Sequence, residues 1–221
     1  MWALQIHDLS EFRLGACSIH SGNLASVQRF PPLTHGDITL RALAKRDFRV
    51  LRKLLIADRE WLIPWEATTP GIRYPLDVRW MIRSLMSQAK KGTGLALVME
   101  YEGKVVGQLN VANILFGSVS SANIGYWIAK NSAGKSIVPI SVAIAIDHLF
   151  TEVGLHRVEI DIRPENTASL RVVEKLGLRQ EGVKERFIHI DGHWRDHVVF
   201  AITSEELKDS LLSRVQNTGG Q

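Results

Sequence analysis

The chain has 221 residues, is 45% hydrophobic and carries a formal net charge of +4. Those values suit one large domain, or a domain with an extension, with a substantial core and exclude a largely disordered chain. The basic surplus is scattered, with no Lys/Arg run of the kind that marks a nucleic-acid footprint, so no direct nucleic-acid binding is expected. One cysteine, Cys17, excludes an intrachain disulfide. The start, "MWALQIHDLSEF", has no basic segment leading into a long apolar run, and no stretch reaches the roughly 18 apolar residues of a membrane span. A soluble, cytoplasmic protein with no membrane partner is the expectation.

Residues 1–34 show weak periodicity and end in "FPPLTHG", which reads as an extension or linker, with room for a short strand or helix, ahead of a domain at 35–221. "DITLRAL", 37–43, alternates as a strand does. Phe48, Leu51, Leu55 and Leu62 recur at helical spacing, with the helix ending before Pro64. "WLIPWEATTPGIRYP", 61–75, is a Pro-interrupted segment; "LDVRWMIRSLMSQAKKG", 76–92, is a helix stopped at Gly92. "GLALVMEY" and "VVGQLNVANI" form a hairpin around "EGK", and "ANIGYWIAK", 122–130, is a third strand.

After a short loop, Pro139 to Phe150 has almost no polar face and reads as a buried helix. "HRVEIDIR", 156–163, alternates Val158, Ile160 and Ile162 against Glu159, Asp161 and Arg163. "NTASLRVVEKLG", 166–177, is a helix ended by Gly177. "VKERFIHI" and "HWRDHVVFAI" flank Asp191-Gly192 as a hairpin. "SEELKDSLLSRV" reads as a closing amphipathic helix capped by Ser204. The sum is a mixed α/β domain in which antiparallel hairpins flank a β-loop-α-β unit with a parallel strand pair.

The loop "AKNSAGKS", 129–136, fits a relaxed P-loop pattern with Ala129 in the first glycine's place. A nucleotide-hydrolysing protein would follow it with several strand–helix units, and only one such unit and a hairpin follow here. The position after a strand and before a helix still suits phosphate, because free N–H groups and the helix dipole converge there. The plain alternative is an ordinary strand-to-helix turn.

"IGYWIAKNSAGKS", "HRVEIDIRPENTASLRVVEKLGL" and "EGVKERFIHIDGHWRDHVVFAI" resemble the GCN5-related N-acetyltransferases (GNAT superfamily), and within them the RimJ/RimL-type ribosomal-protein N-terminal acetyltransferases. The resemblance spans about 37–202. It implies a GNAT fold: a mostly antiparallel central sheet, a parallel strand pair that splays apart, and helices on both faces. It implies acetyl-CoA as donor, no metal, and direct transfer to an amine. The acceptor it implies is a protein N-terminal α-amine, a ribosomal protein first; a small amine, or a degenerate member that binds CoA or a partner without turnover, are the alternatives. Homodimers are common in the family.

By that resemblance the cofactor site comprises Trp127, Ile128, Asn131, Ala133, Gly134, Lys135, Ser136, Asn166 and Ser169. The family loop reads Gln/Arg-x-x-Gly-x-Gly/Ala; Gly134 matches it, whereas Asn131 and Ser136 depart from it. The oxyanion donor is the N–H of Ile128 or of its neighbours Trp127 and Ala129. Ser169 stands at the position proposed to meet the CoA sulfur, on a helix face shared with Val172, Val173 and Leu176. Asn166 is an N-cap, a contact to the pantetheine arm, or both. Candidate bases are His189, Asp191 and His193, with Glu66 and Asn113 acting through water. Trp61, Trp65, Glu66, Asn113 and Trp194, with Phe187 nearby, are the candidate acceptor groove. Aromatic core packing is the plain alternative for the tryptophans.

Overall fold

A computed structural model describes residues 27, 29–71, 76–207 and 209–217. The greater part of the expected 1–34 extension, Cys17 included, lies outside the described residues, as do parts of the 61–75 segment and Lys208. Val27 and Phe30 are described, and both are buried in the main core.

The strands are β1 (Leu33–His35), β2 (Ile38–Ala42), β3 (Leu95–Tyr101), β4 (Lys104–Leu115), β5 (Ser121–Ile128), β6 (Arg157–Ile162), β7 (Arg179–Ile190) and β8 (His193–Thr203). The helices are α1 (Phe48–Ala57), α2 (Arg59–Leu62), α3 (Val78–Lys91), α4 (Ile137–Thr151), α5 (Thr167–Leu176) and α6 (Leu211–Asn217). The eight strands make one sheet in the order β1-β2-β3-β4-β5-β6-β8-β7. Every pairing is antiparallel except β5 with β6. The expected mixed α/β, GNAT-type sheet is therefore present, with its parallel pair where the β-loop-α-β unit places it.

Turn chemistry sets much of this order. Asp191 and Gly192 take φ of 47° and 78° between β7 and β8, as a two-residue hairpin turn requires. Gly92 and Gly177 end α3 and α5 in left-handed conformation, and each donates its N–H back into the last turn. α4, α5 and α6 cover one face of the sheet and share its larger core; α1, α2 and α3 cover the other around Leu51, Leu55, Met81 and Trp127. α4 is buried nearly all round, as its lack of a polar face implies.

The short strand allowed for near the "FPPLTHG" break is β1, which pairs with β2 from Leu33↔Leu40 to His35↔Ile38. Two local expectations need correction. The helix expected through Phe48, Leu51, Leu55 and Leu62 is broken at Asp58 into α1 and α2; α2 ends at Leu62, before Pro64 as expected, and a tight turn over Ile63–Trp65 takes the proline in its first turn. The C-terminal run is not one helix capped by Ser204. Thr203 and Glu206 close a tight turn, with Thr203 N–H to Glu206 at 2.8 Å. α6 then starts afresh with its cap supplied from α4: Asp147 accepts from the N–H groups of Leu211 and Leu212, at 2.7 and 3.2 Å, and from the Ser210 hydroxyl.

Candidate active site

β5 and β6 pair only through Ser121↔Arg157, Ala122↔Val158 and Asn123↔Glu159. Beyond Asn123 the strands part, because β5 stays bound to β4 as far as Ile128 while β6 stays bound to β8 as far as Ile162. The gap widens into a cleft of about 500 Å³. Its walls come from β5, β6, the 132–139 loop and helix start, α5, and the Trp61–Trp65 segment.

Backbone polarity inside the gap follows from register. The Ala129 N–H donates to Val106 at 2.8 Å, toward β4. Residues alternate along a strand, so Trp127 is also turned to β4 and Ile128 is turned into the gap. Of the three expected oxyanion donors, this alternation leaves Ile128. Its carbonyl, on the same side, accepts from the Trp61 indole at 3.1 Å. That bond ties the far wall of the cleft to β5.

The loop between β5 and α4 lines the cleft through Ser132, Ala133, Gly134 and Ser136. Gly134 has φ of 80°, a left-handed conformation that favours glycine, and a Cβ there would meet nothing within 4 Å. Ser136 stands before α4 with no side-chain cap bond to it, so the first-turn N–H groups of Ile137 and Val138 have no side-chain competitor. Arg171 and Lys175 line the same cleft from α5. Open amides, a helix N-terminus and two cations fit a pyrophosphate group. Ser136 itself has φ of 57°, which is strained for a residue with a side chain. Ser136→Gly is expected to raise stability by about 1 kcal/mol, read as a higher urea midpoint, and to leave acetyl-CoA affinity equal or tighter. A lower midpoint would show that the contact from Lys175 to its hydroxyl, at 3.5 Å, matters more than the strain.

On α5, Asn166 caps the helix by accepting from the Ser169 N–H at 3.1 Å. It also lines the cleft, so the cap and a ligand contact are compatible. The Ser169 hydroxyl lies 2.7 Å from the Tyr126 hydroxyl. Burial pushes the Tyr126 phenol above its ordinary value, against the opposing pull of the Ser169 hydrogen bond. Tyr126 therefore stays protonated and holds the serine side chain.

The cleft thus unites Trp61, Trp65, Trp127, Ile128, Ala133, Gly134, Ser136, Asn166 and Ser169. The other candidates lie off its walls. Asn131 is exposed in the Lys130–Ser132 turn. The Lys135 ammonium sits over the Tyr101 ring, 5.1 Å from its centre. Glu66 is ion-paired with Arg59, and Asn113 donates to Asn123 at 3.2 Å. His189 Nδ1 is 2.7 Å from the Thr68 hydroxyl, and its ring meets Trp194, which is 54% exposed, edge-on. His193 is exposed and hydrogen-bonds the Asp191 carbonyl at 3.1 Å.

Several cleft residues besides Arg171 and Lys175 carry no expected role. Tyr126 precedes Ile128 by two and shares its face, a signal that strand alternation holds. Arg163 lies over Trp65, 5.4 Å from the ring centre, and donates to the Pro64 carbonyl at 2.7 Å. Asp161 is buried and receives Lys184 at 2.9 Å; burial raises its carboxyl, with Lys184 opposing. His197 is 3% exposed. A histidine heading the apolar run "HVVFAI" is its only trace in the sequence.

A sheet whose central parallel pair opens onto a glycine-bearing loop and a helix N-terminus is the architecture of an acyl-CoA-using acetyltransferase. The chain belongs to the acetyltransferase (GNAT) domain family, which it matches over residues 37–179, and it is an N-acetyltransferase of RimJ/RimL type. It is similar to Mycobacterium smegmatis RimJ, solved in complex with CoA-disulfide, at 38% identity and TM-score 0.79, over 86% of this chain and 93% of that one. It is 27% identical to the [ribosomal protein uS5]-alanine N-acetyltransferase of Escherichia coli over 79% of this chain and 91% of that protein. It is 35% identical to the probable N-acetyltransferase YjcK of Bacillus subtilis, over 48% of this chain and 58% of YjcK's length.

Proposed function

We propose that this chain transfers an acetyl group from acetyl-CoA to the N-terminal α-amine of a protein, a ribosomal protein first, in the cytoplasm. One observation carries the chemistry: the gap-facing side of Ile128 and the Ser169 hydroxyl line one cleft, the latter fixed by Tyr126 at 2.7 Å. The ribosomal acceptor is supported by the relative named for alanine acetylation of uS5.

Bound acetyl-CoA would supply an activated acetyl thioester. The Gly134 loop, the start of α4, Arg171 and Lys175 hold the phosphates. The Ile128 N–H stabilises the negative charge that grows on the carbonyl oxygen during attack. Ser169 donates a hydrogen bond to the departing sulfur. Trp61, Trp65 and Arg163 wall the acceptor's approach and keep water from it.

Two outcomes would change this reading: a small-amine acceptor first, and CoA binding without turnover second. Calorimetric titration with acetyl-CoA, with Mg-ATP as control and followed by an acceptor screen, separates the readings. Micromolar acetyl-CoA binding, no Mg-ATP binding and acetylation of peptides with free N-termini are expected. Turnover of small amines alone would move the acceptor class. Binding without any turnover would favour the second reading, and tight Mg-ATP binding would overturn the phosphate-loop assignment.

A further inference from the structure

Acetyl transfer to an amine needs a group that takes the amine's proton, and the side chains suggested by the sequence lie elsewhere. His189, Asp191, His193, Glu66 and Asn113 are all off the cleft walls. The titratable residues that do line it are Tyr126, Asp161, Arg163, Glu165, Arg171, Lys175 and His197. Arginine and lysine already hold their protons near pH 7. Tyr126 is committed to Ser169, Asp161 to Lys184, and Glu165 to Arg163 at 3.1 Å.

His197 is different. Its Nδ1 lies 3.0 Å from the Arg195 carbonyl. A carbonyl only accepts, so Nδ1 carries the ring proton and Nε2 keeps its lone pair. Nε2 makes no hydrogen bond among the described residues, and the residue lines the cleft. The ring is held edge-on by Phe187, with centroids 5.9 Å apart. Register puts it on the face of the sheet that carries Asp161 and Arg163: Asp161 pairs with Val199, two residues from His197. Lys184, its partner on β7, reaches across to Asp161. This is the α1–α3 side, opposite α4 and α5 and their phosphate cradle.

We propose that His197 is the catalytic proton acceptor: Nε2 takes the proton from the acceptor's α-amine nitrogen as that nitrogen bonds the acetyl carbon. This rests on the N-acetyltransferase reading above. The N–C bond forms and the C–S bond breaks. The nitrogen's proton passes to Nε2 and then to solvent, and the thiolate takes one proton from solvent beside Ser169. Attack leaves the nitrogen positively charged and its proton far more acidic than in the free ammonium. A weakly basic imidazole is then sufficient. Burial pulls the His197 imidazole down to about 4, so it stands unprotonated at neutral pH. The charges around it are Asp161, Arg163 and Glu165 from β6 and the loop after it, Lys184 from β7, and Arg195 on its own strand.

The test uses the full chain, acetyl-CoA and a synthetic peptide with a free N-terminal alanine. His197→Gln should lower kcat about 100-fold with acetyl-CoA affinity unchanged, and added imidazole should restore turnover to His197→Ala. An unchanged kcat, a loss matched by lost acetyl-CoA binding, or a loss that imidazole leaves untouched overturns the proposal. Imidazole ¹⁵N spectra of the wild-type chain decide it independently of turnover. Nε2 should be the bare nitrogen at pH 7, and its signal should move when the peptide joins the CoA-loaded protein. A proton on Nε2, or an unmoved signal, refutes the assignment. A wild-type chain that acetylates no peptide speaks against the acceptor class and leaves the spectra to judge His197.

Discussion

Ser169→Ala is expected to lower turnover about 100-fold while acetyl-CoA still binds. In the proposed role the hydroxyl serves the sulfur only as negative charge grows there, so its loss would fall on the transition state. The substitution also strips Tyr126 of its 2.7 Å partner. That leaves the buried phenol with only the main-chain carbonyl of residue 169, at 3.5 Å, so the variant should also lose about 1 kcal/mol of stability, read as a lower urea midpoint. Tyr126→Phe separates the two effects. It keeps the serine hydroxyl but frees its rotamer, and its turnover should lie between the wild type and Ser169→Ala. Steady-state kinetics with calorimetric acetyl-CoA binding provide the check. If Ser169→Ala loses affinity and turnover equally, or loses neither, the serine does not serve the leaving group.

Asp47→Ala should lower stability by about 3 kcal/mol. Asp47 lies just before α1 with its side chain 4% exposed, and it receives Arg41 through two bonds of 2.8 and 2.9 Å and the Ala44 N–H at 2.8 Å. Removing the carboxylate leaves a mostly buried guanidinium with Glu100 as its remaining anion. Burial alone would raise the Asp47 carboxyl; the Arg41 and Ala44 donors and nearby charge outweigh it and hold it below the usual value. A lowered folded value means the stabilisation is complete above the unfolded pKa of about 3.9 and is lost as pH falls through the lower folded one. The wild type should therefore lose stability in acid more steeply than Asp47→Ala. Parallel acid slopes would place the anchor elsewhere.

Most of the fold was legible because local signals agreed with the global answer. Asp191-Gly192 gave the last hairpin, Gly92 and Gly177 the helix ends, and the alternation of Val158, Ile160 and Ile162 the strand that parts from β5. What misled was information held at a distance. Ser204 looked like a cap, but the cap of α6 is Asp147, on another helix. β1 is too short to show a pattern, and only pairing with β2 defines it. The site divides the same way. The phosphate loop and Ser169 sit in motifs readable along the chain. Tyr126 and His197 are brought to the cleft by the register of β5 and β8. Conversely, Glu66, Asn113 and His189 have suitable chemistry, but Arg59, Asn123 and Thr68 occupy them off the cleft walls. The aromatic candidates split as well: Trp61 and Trp65 line the cleft, and Trp194 is exposed.

The strand order β6-β8-β7 bears on how the molecule comes into being. β8 lies between β6 and β7, so until residues 193–203 have been synthesised β7 has no neighbour and β6 has only its short pairing with β5. Until then β6 presents an open edge on one side and the splayed gap on the other. The pairing that closes it joins Arg157 to Thr203, a non-local contact of the kind that slows folding. A nascent chain therefore carries the phosphate loop and Ser169 well before it has a complete sheet, and the strand bearing His197 is the last to join. On the reading proposed above, the residues that would hold the phosphates are made before the strand that carries the proposed proton acceptor.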